Sequence, residues 1–234
     1  MSATEHHSRR QDFAWRTALV VSTLALSWLL MQVVHEFGHV LHAWASGGIV
    51  VRVVLHPLEI SRTDVSPNPR PQFVAWGGAA WGSLIPLLML VVVRWGGKNK
   101  MPRRAGGVSP LIACLVANHQ GAAAPRSPDL ETSAGWPSWL ATFFAGFCLI
   151  ANGAYLAIGL LDGIGDAGDL VANGAPAWSL IAFGAVTIPA GLWLWHGLGP
   201  RLGFVPIEGQ ISRRTVIAVL VTLVCLVGLE IATG

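Results

Sequence analysis

Five long stretches of the chain are dominated by apolar residues, and polar segments separate them. Each stretch is close to or longer than the roughly 20 residues that an α-helix needs to cross the hydrocarbon core of a bilayer. The pattern therefore predicts an all-α polytopic membrane protein with about five transmembrane helices. The predicted helices cover residues 13–46, 73–95, 138–161, 177–198 and about 215–232.

The segment after the first apolar stretch has a different character. It begins with four valines within five residues, and β-branched side chains favour extended backbone. A cluster of proline, asparagine and aspartate follows, which is typical of a polar loop. Residues 49–72 are therefore predicted to form a short β-like strand or hairpin followed by a loop. The valines are Val50, Val51, Val53 and Val54.

Composition supports a membrane domain and excludes several other classes of protein. Hydrophobic residues make up 53% of the chain and charged residues 12%, whereas ordinary globular domains carry about 25% charge. The net charge is only +3, and the basic residues cluster in short loops, which indicates membrane topology rather than nucleic-acid binding. The three cysteines lie far apart and form no C-x-x-C motif, so neither a disulfide framework nor a cysteine metal site is expected.

The polar segments divide the chain into a tail and one domain. Residues 1–12 are polar and are predicted to be a disordered N-terminal tail. Residues 13–234 are predicted to form a single membrane-embedded domain. Within it, residues 105–137 are only weakly apolar and end in a Pro-rich polar stretch. This part is predicted to be a cytoplasmic insertion or re-entrant piece rather than a transmembrane helix.

Basic residues orient the predicted helices. Three arginines near the N-terminus predict that this end of the chain is cytoplasmic, because cytoplasmic loops are enriched in Lys and Arg. If residues 105–137 do not cross the membrane, the basic clusters at 94–104 and 201–214 also fall on the cytoplasmic side. The Gly/Asp-rich segment 162–175 then lies on the same side as the end of the first helix. The arginines are Arg9, Arg10 and Arg16.

An H-E-x-x-H motif lies inside the first apolar stretch, where lipid is the expected solvent. On a helix the two histidines stand one turn apart on one face, so both imidazoles can bind one metal ion. The glutamate between them can act as a base toward a water at that ion. Titratable residues inside a membrane are costly and mark functional sites. The motif is His35-Glu36-Phe37-Gly38-His39.

A catalytic zinc ion typically has three protein ligands and one open position, so a third ligand is needed. The candidates are three aspartates separated by glycines in the segment 162–175, namely Asp162, Asp166 and Asp169. Glycines allow the backbone to leave the helix and turn an aspartate inward. His42 shares the face of His35 but lies two turns away, which favours a supporting role. Asn152 is a polar residue inside the third apolar stretch, where it can bond another helix or a substrate.

These motifs together resemble the site-2 protease family of intramembrane zinc metalloproteases. The resemblance covers roughly residues 20–200 and is carried by the H-E-x-x-H motif, by Asn152 and by Leu161-Asp162-Gly163. The family pattern has prolines between the asparagine and Leu-Asp-Gly, and this chain has none there. The resemblance implies that Asp162 is the third ligand. The strand-like segment at residues 50–54 resembles the β-segment by which such proteases receive an extended substrate.

A divergent branch of the same family is similar through two other segments of this chain. They are Gly165-Asp166-Ala167 and Gly174-Ala175-Pro176-Ala177-Trp178. This likeness implies Asp166 as the third ligand, and it is preferred over Asp162. The chain has no recognisable PDZ or CBS regulatory domain, so it resembles a minimal, divergent member of the family.

The resemblance implies hydrolysis of peptide bonds in membrane-associated proteins, with the lipid bilayer as surroundings and Zn²⁺ as cofactor. Its implied zinc ligands are His35, His39 and Asp166, with Asp162 as the alternative. Its implied base is Glu36, and its implied substrate contact is Asn152. The alternative function is a non-proteolytic membrane metal-binding protein of the same fold. A di-iron oxidase is disfavoured because it needs several histidine clusters, and the eight histidines of this chain supply only one.

Overall fold

A computed structural model describes residues 3–57, 61–98, 136–199, 202 and 213–233 of the chain. Helices form most of the described part, and two short strands follow the first helix. In chain order the elements are α1 (Ala3–Ala45), β1 (Val50–Val54), β2 (Arg62–Val65), α2 (Pro71–Lys98), α3 (Trp136–Asp162), α4 (Gly165–Ala172), α5 (Ala177–Trp195) and α6 (Arg213–Thr233).

Five helices of the described chain are long and apolar enough to cross a membrane. Their boundaries agree with the five apolar stretches to within a few residues, which confirms the predicted all-α polytopic fold. The protein is therefore a multi-pass membrane protein. The membrane-crossing segments are Gln11–Ala45, Pro71–Gly96, Ser138–Asp162, Ala177–Trp195 and Arg213–Ala232.

The N-terminal tail differs from its prediction. Residues 1–12 were expected to be disordered, but α1 begins at Ala3 and continues without a break into the membrane segment. No glycine or proline interrupts this part of the chain, and adding residues to an existing helix costs far less than starting one. The predicted insertion at 105–137 lies outside the described residues, apart from its last two positions, where α3 begins.

A two-stranded antiparallel hairpin follows α1, as predicted. Val54 pairs with Arg62 and Val50 pairs with Val65, with an irregularity in the register near the start of β1. Two strands alone are marginally stable in water, so the hairpin depends on what it packs against. Both strands contact α1, and Val54 is buried. The hairpin therefore lies against the helix that carries the H-E-x-x-H motif.

Close helix packing brings α1, α2 and α3 around one site. Gly38 on α1 and Gly77 on α2 lie so near each other that a Cβ on either residue would collide with the backbone of the other. Small residues at such contacts allow membrane helices to approach closely. The helix α2 also packs against α3, α3 packs most extensively against α5, and α6 lies against α1. The helices α2 and α3 and the hairpin thus surround the face of α1 that bears the histidines.

Candidate metal centre

The two histidines of the motif lie on one face of α1, as their spacing predicts. Their ring centroids are 4.9 Å apart, and His35, His39 and the intervening Glu36 are all buried. A helix with 3.6 residues per turn places positions four apart one above the other. The geometry of the histidine pair therefore follows from local helix structure alone.

Hydrogen bonds from neighbouring helices determine which ring nitrogen of each histidine carries a proton. His39 Nδ1 donates to the carbonyl oxygen of Val74 on α2, at 2.8 Å. His35 Nδ1 donates to Asn152 Oδ1 on α3, at 2.7 Å. The orientation of that amide is set because Asn152 Nδ2 donates to the Cys148 carbonyl at 2.8 Å. In each neutral imidazole the lone pair is then on Nε2, the arrangement found in metal-ligating histidines.

The carboxylate that meets these nitrogens belongs to Asp166. Its Oδ2 lies 2.8 Å from His35 Nε2 and 3.2 Å from His39 Nε2. Burial by itself would raise the pKa of the Asp166 carboxyl, but the two imidazoles beside it hold the pKa well below its ordinary range. Two nitrogen lone pairs and a carboxylate oxygen at these distances repel one another unless a cation lies among them. A proton on an imidazole or a metal ion meets that need.

These three residues form a group that could hold a metal ion. One ligand atom from each of His35, His39 and Asp166 lies within 4.8 Å of the others, and in the described part of the chain no other such group of His, Cys, Asp or Glu occurs. Two imidazole nitrogens and one carboxylate oxygen match the donor set of a catalytic zinc site. The residues present therefore fit a zinc ion.

Space beside the two nitrogens depends on a glycine of α2. A Cβ added to Gly78 would overlap Nε2 of both His35 and His39. Any other residue at this position would place a side-chain carbon against both nitrogens. A glycine pair such as Gly77-Gly78 inside an apolar stretch indicates close helix approach. It does not indicate which glycine faces the histidines, so the sequence alone does not reveal this role of Gly78.

Asp166 reaches the histidines because α3 ends and the chain turns back. Gly163 and Gly165 have φ values of 64° and 59°, a region that other residues adopt only at a cost. The two glycines bracket a single extended residue, Ile164, and α4 begins at once. Asp166 thus lies in the first turn of α4, where its backbone N–H donates to the hydroxyl of Tyr155 at 3.2 Å.

The other two candidate aspartates do not join the histidines. Asp162 is the last residue of α3 and Asp169 lies on α4. Both side chains are exposed and line the cavity next to the site. The acidic segment 162–175 is predicted to be a glycine-broken loop. In the structure it also contains a short helix, α4. Leu170 and Ala167 of α4 are buried in a core cluster with α2 and α3, which explains why this segment is helical.

The β-hairpin contacts the glutamate of the motif. The hydroxyl of Thr63 on β2 donates to Glu36 Oε2 at 2.7 Å. This contact orients one carboxylate oxygen and leaves Oε1 without a partner from β2. Glu36, Thr63 and the metal-ligand candidates all line one cavity of about 1320 Å³, which also receives residues of α2 and α3. Nothing in the local sequence pattern around Thr63 indicates this contact, so the sequence alone gives this residue no role.

Two further residues named from the sequence have clear positions. His42 Nδ1 donates to the carbonyl of Phe73 at 2.6 Å, and its ring stacks on Phe73 with centroids 4.0 Å apart. His42 therefore stays outside the candidate metal group, in a supporting place on the helix interface. Asn152 is only 1% exposed, and its amide orients His35, while the predicted contact between Asn152 and substrate stays a prediction.

In comparisons with known proteins, no family model matches this chain, and no curated protein or solved structure gives a significant match. The fold and the candidate metal centre therefore identify only the class of protein. The protein is a multi-pass membrane protein whose described residues include five apolar helices and a cluster of two buried histidines and the half-buried Asp166.

Proposed function

We propose that this protein is an intramembrane zinc metalloprotease of the site-2 protease type, which hydrolyses peptide bonds of membrane-associated proteins. One observation carries the proposal. Two histidine Nε2 lone pairs and one carboxylate oxygen converge beside Gly78, next to a buried glutamate, in a cavity among membrane helices. Buried titratable groups in such surroundings are retained for function.

His35, His39 and Asp166 would hold the zinc ion, and Asn152 and Val74 would keep the two imidazoles in the ligating tautomer. Three protein ligands leave one position open, as in catalytic zinc sites. When bound, zinc lowers the pKa of a water molecule toward about 7 and polarises a carbonyl group. The ligand set fits this chemistry because its single negative charge neutralises a divalent zinc ion only in part. The bound ion would therefore keep a net positive charge.

Glu36 is the proton carrier of the proposed reaction. Its Oε1 takes a proton from the attacking water as the water oxygen bonds to the peptide carbon. The same proton then passes to the peptide nitrogen as the C–N bond breaks, so that a carboxylic acid and an amine are the products. Thr63 holds the other carboxylate oxygen and so keeps the Glu36 side chain in place during both transfers.

The hairpin is the proposed receiving surface for substrate. All four residues of β2 line the cavity, and within the described part of the chain Arg62–Val65 pairs only with β1, along one edge. An extended peptide can add to the other edge through backbone hydrogen bonds. Such a peptide would lie beside Glu36, because Thr63 already contacts that residue. The proposed orientation has the N-terminus in the cytoplasm, in agreement with the distribution of arginine and lysine.

The decisive experiment compares two Glu→Gln variants of the purified protein in detergent. Glu36→Gln removes the base without removing a metal ligand, so zinc content should stay unchanged. Cleavage of a panel of fluorescent transmembrane peptides should fall by about 10²–10⁴-fold, the usual contribution of general-base catalysis. Glu230→Gln is the matched control, because Glu230 is also a buried glutamate of a membrane helix but does not line the cavity.

The outcomes separate the proposal from its alternative. A Glu36→Gln variant that cleaves as fast as the wild type contradicts the protease proposal. Wild-type protein that binds zinc at the three residues but cleaves no peptide in the panel would favour a non-proteolytic metal-binding protein of the same fold. Zinc content measured by elemental analysis on each preparation makes this distinction.

A further inference from the structure

The hydroxyl of Tyr155 lies in a position that the proposed reaction can use. We infer that Tyr155 is a catalytic residue that donates a hydrogen bond to the substrate carbonyl oxygen as negative charge develops on it. This inference rests on the proposed protease function.

The Tyr155 hydroxyl accepts one hydrogen bond and has its own proton available. The N–H of Asp166 donates to the phenolic oxygen at 3.2 Å, and this oxygen makes no other hydrogen bond to the described ranges of the chain. A phenol is both donor and acceptor. The bond from Asp166 occupies a lone pair and leaves the O–H free to donate. Tyr155 lines the cavity and is 38% exposed.

Three contacts hold the phenol in place. Its ring lies edge-on to His35 with centroids 5.7 Å apart, and its oxygen is bonded to the start of α4. A Cβ added to Gly165 would overlap the Tyr155 hydroxyl. Gly165 therefore satisfies both the positive φ of the turn and the close approach of the phenol. A donor held in this way requires little reorganisation when charge appears, which is the basis of oxyanion stabilisation.

Tyr155 also occupies the helix face on which a substrate contact was expected. Asn152 and Tyr155 are three residues apart on α3 and share a face. Asn152 is buried, and its amide bonds His35 and the Cys148 carbonyl. Tyr155 lines the same cavity and is more exposed than Asn152. Glu36 lines the same cavity from α1, so the base and the donor come from different walls of one chamber.

The proposed step is balanced without a proton from Tyr155. The water oxygen adds to the peptide carbon, its proton goes to Glu36, and the electron pair of the C=O bond moves onto the carbonyl oxygen. Tyr155 stabilises that oxygen by a hydrogen bond and keeps its proton. The pair returns as the C–N bond breaks, and Glu36 gives its proton to the leaving nitrogen.

A purely structural role for Tyr155 makes a different prediction. If the phenol served only to support Asp166 through its backbone N–H, removing the hydroxyl would weaken zinc binding and would lower activity in proportion. If it acts on the substrate, removing it would lower turnover and leave zinc affinity unchanged. The two roles can therefore be separated by measuring zinc affinity and turnover on the same variant.

The test is Tyr155→Phe in the whole chain, with Trp44→Phe as control. The control removes the N–H donor of an exposed aromatic residue of α1 that does not line the cavity. Tyr155→Phe should lower kcat by about 10²–10³-fold, as removal of one oxyanion donor does, with KM and zinc affinity changed by less than about twofold. Trp44→Phe should leave kcat unchanged.

Binding of a phosphinic inhibitor and a ¹⁹F label on Tyr155 supply two readouts besides turnover. A phosphinic pseudopeptide, made on the sequence of the best-cleaved peptide, carries oxygens arranged like those of the tetrahedral state. Tyr155→Phe should weaken its binding in parallel with kcat/KM, whereas binding of the uncleaved peptide to the Glu36→Gln background should not change. Tyr155 is the single tyrosine of the chain, so 3-fluorotyrosine labelling gives one ¹⁹F resonance, which should shift when the phosphinic probe binds.

Three results would overturn the inference. They are an unchanged kcat in Tyr155→Phe, a loss of zinc affinity that matches the loss of activity, and a ¹⁹F resonance that does not respond to the phosphinic probe. Failure of the protease proposal looks different, because the wild type would then cleave no peptide and Glu36→Gln would have no effect. In that case the inference fails together with the function on which it rests.

Discussion

The two halves of the candidate metal centre are built in different ways. The histidine half lies on α1, a helix that continues from Ala3 to Ala45 without interruption. The aspartate half needs a helix end, two glycines with positive φ and a new helix before Asp166 is in place. Regular structure positions the first half, and a break in regular structure positions the second. A site can thus combine a rigid chelating pair with a ligand whose position depends on a turn.

Contacts between the halves make them interdependent. Asn152 on α3 accepts the Nδ1 proton of His35 on α1, so the helix that leads to the aspartate also orients a histidine. Tyr155, one turn further along α3, receives the backbone N–H of Asp166 and lies against the His35 ring. One face of α3 therefore supports both halves. Substitutions that affect one half only, or both, can measure this dependence.

The largest effect is expected from Gly78→Ala, which acts on the histidine half. The added methyl group overlaps both Nε2 atoms, so α1 and α2 must move apart or the ligands must turn away. We expect zinc content to fall to background and the free energy of unfolding in detergent to fall by about 1–3 kcal/mol, the usual cost of overpacking.

Gly96→Ala is the matched control on the same helix, because no atom lies within 4 Å of the Cβ it would add. It should keep zinc and should leave stability unchanged or raised by up to about 1 kcal/mol, since alanine is the better helix former. Equal zinc content in the two variants would contradict the position assigned to the ion.

A second substitution tests the aspartate half. Asp166→Asn removes the only negative charge among the three candidate ligands, so zinc affinity should fall by more than about 100-fold, beyond the 10–100-fold range of residues that merely support ligands. Asp162→Asn is the control, because this residue is exposed at the end of α3 and should keep zinc affinity within about twofold. Isothermal titration or competition with a chelator measures both, and the reverse ranking would show that Asp162 is the ligand.

The smallest of the three effects concerns the contact that joins the halves. Asn152→Leu keeps the size of the side chain but removes the acceptor for His35 Nδ1, so His35 can turn or change tautomer. Zinc affinity should fall by about 10–100-fold. Asn152→Asp offers an oxygen at the same place and should recover most of the loss. If both variants bind zinc like the wild type, the halves are independent and the role given to this hydrogen bond is wrong.

The fold was predictable because its main features are local. Five apolar stretches each have the length of a membrane helix, and the valines around Val53 indicate a strand. The polarity of residues 1–12 predicts disorder, but α1 begins at Ala3, because a helix extends through polar residues when nothing breaks it. The helical state of α4 was not evident, since it is only eight residues long and is stabilised by burial of Ala167 and Leu170 against other helices.

The sequence by itself determined the histidine pair, the glutamate between them and a short set of aspartates on the same side of the membrane. It did so because an i, i+4 spacing on a helix has one geometry, and because charged loops have a preferred side. Only the tertiary structure decided that Asp166 faces the histidines, that Gly78 leaves the space beside them, and that Thr63 and Tyr155 contact the site. These contacts join residues far apart in sequence, so no local period encodes them. They depend on how closely α1, α2, α3, α4 and the hairpin pack around one cavity.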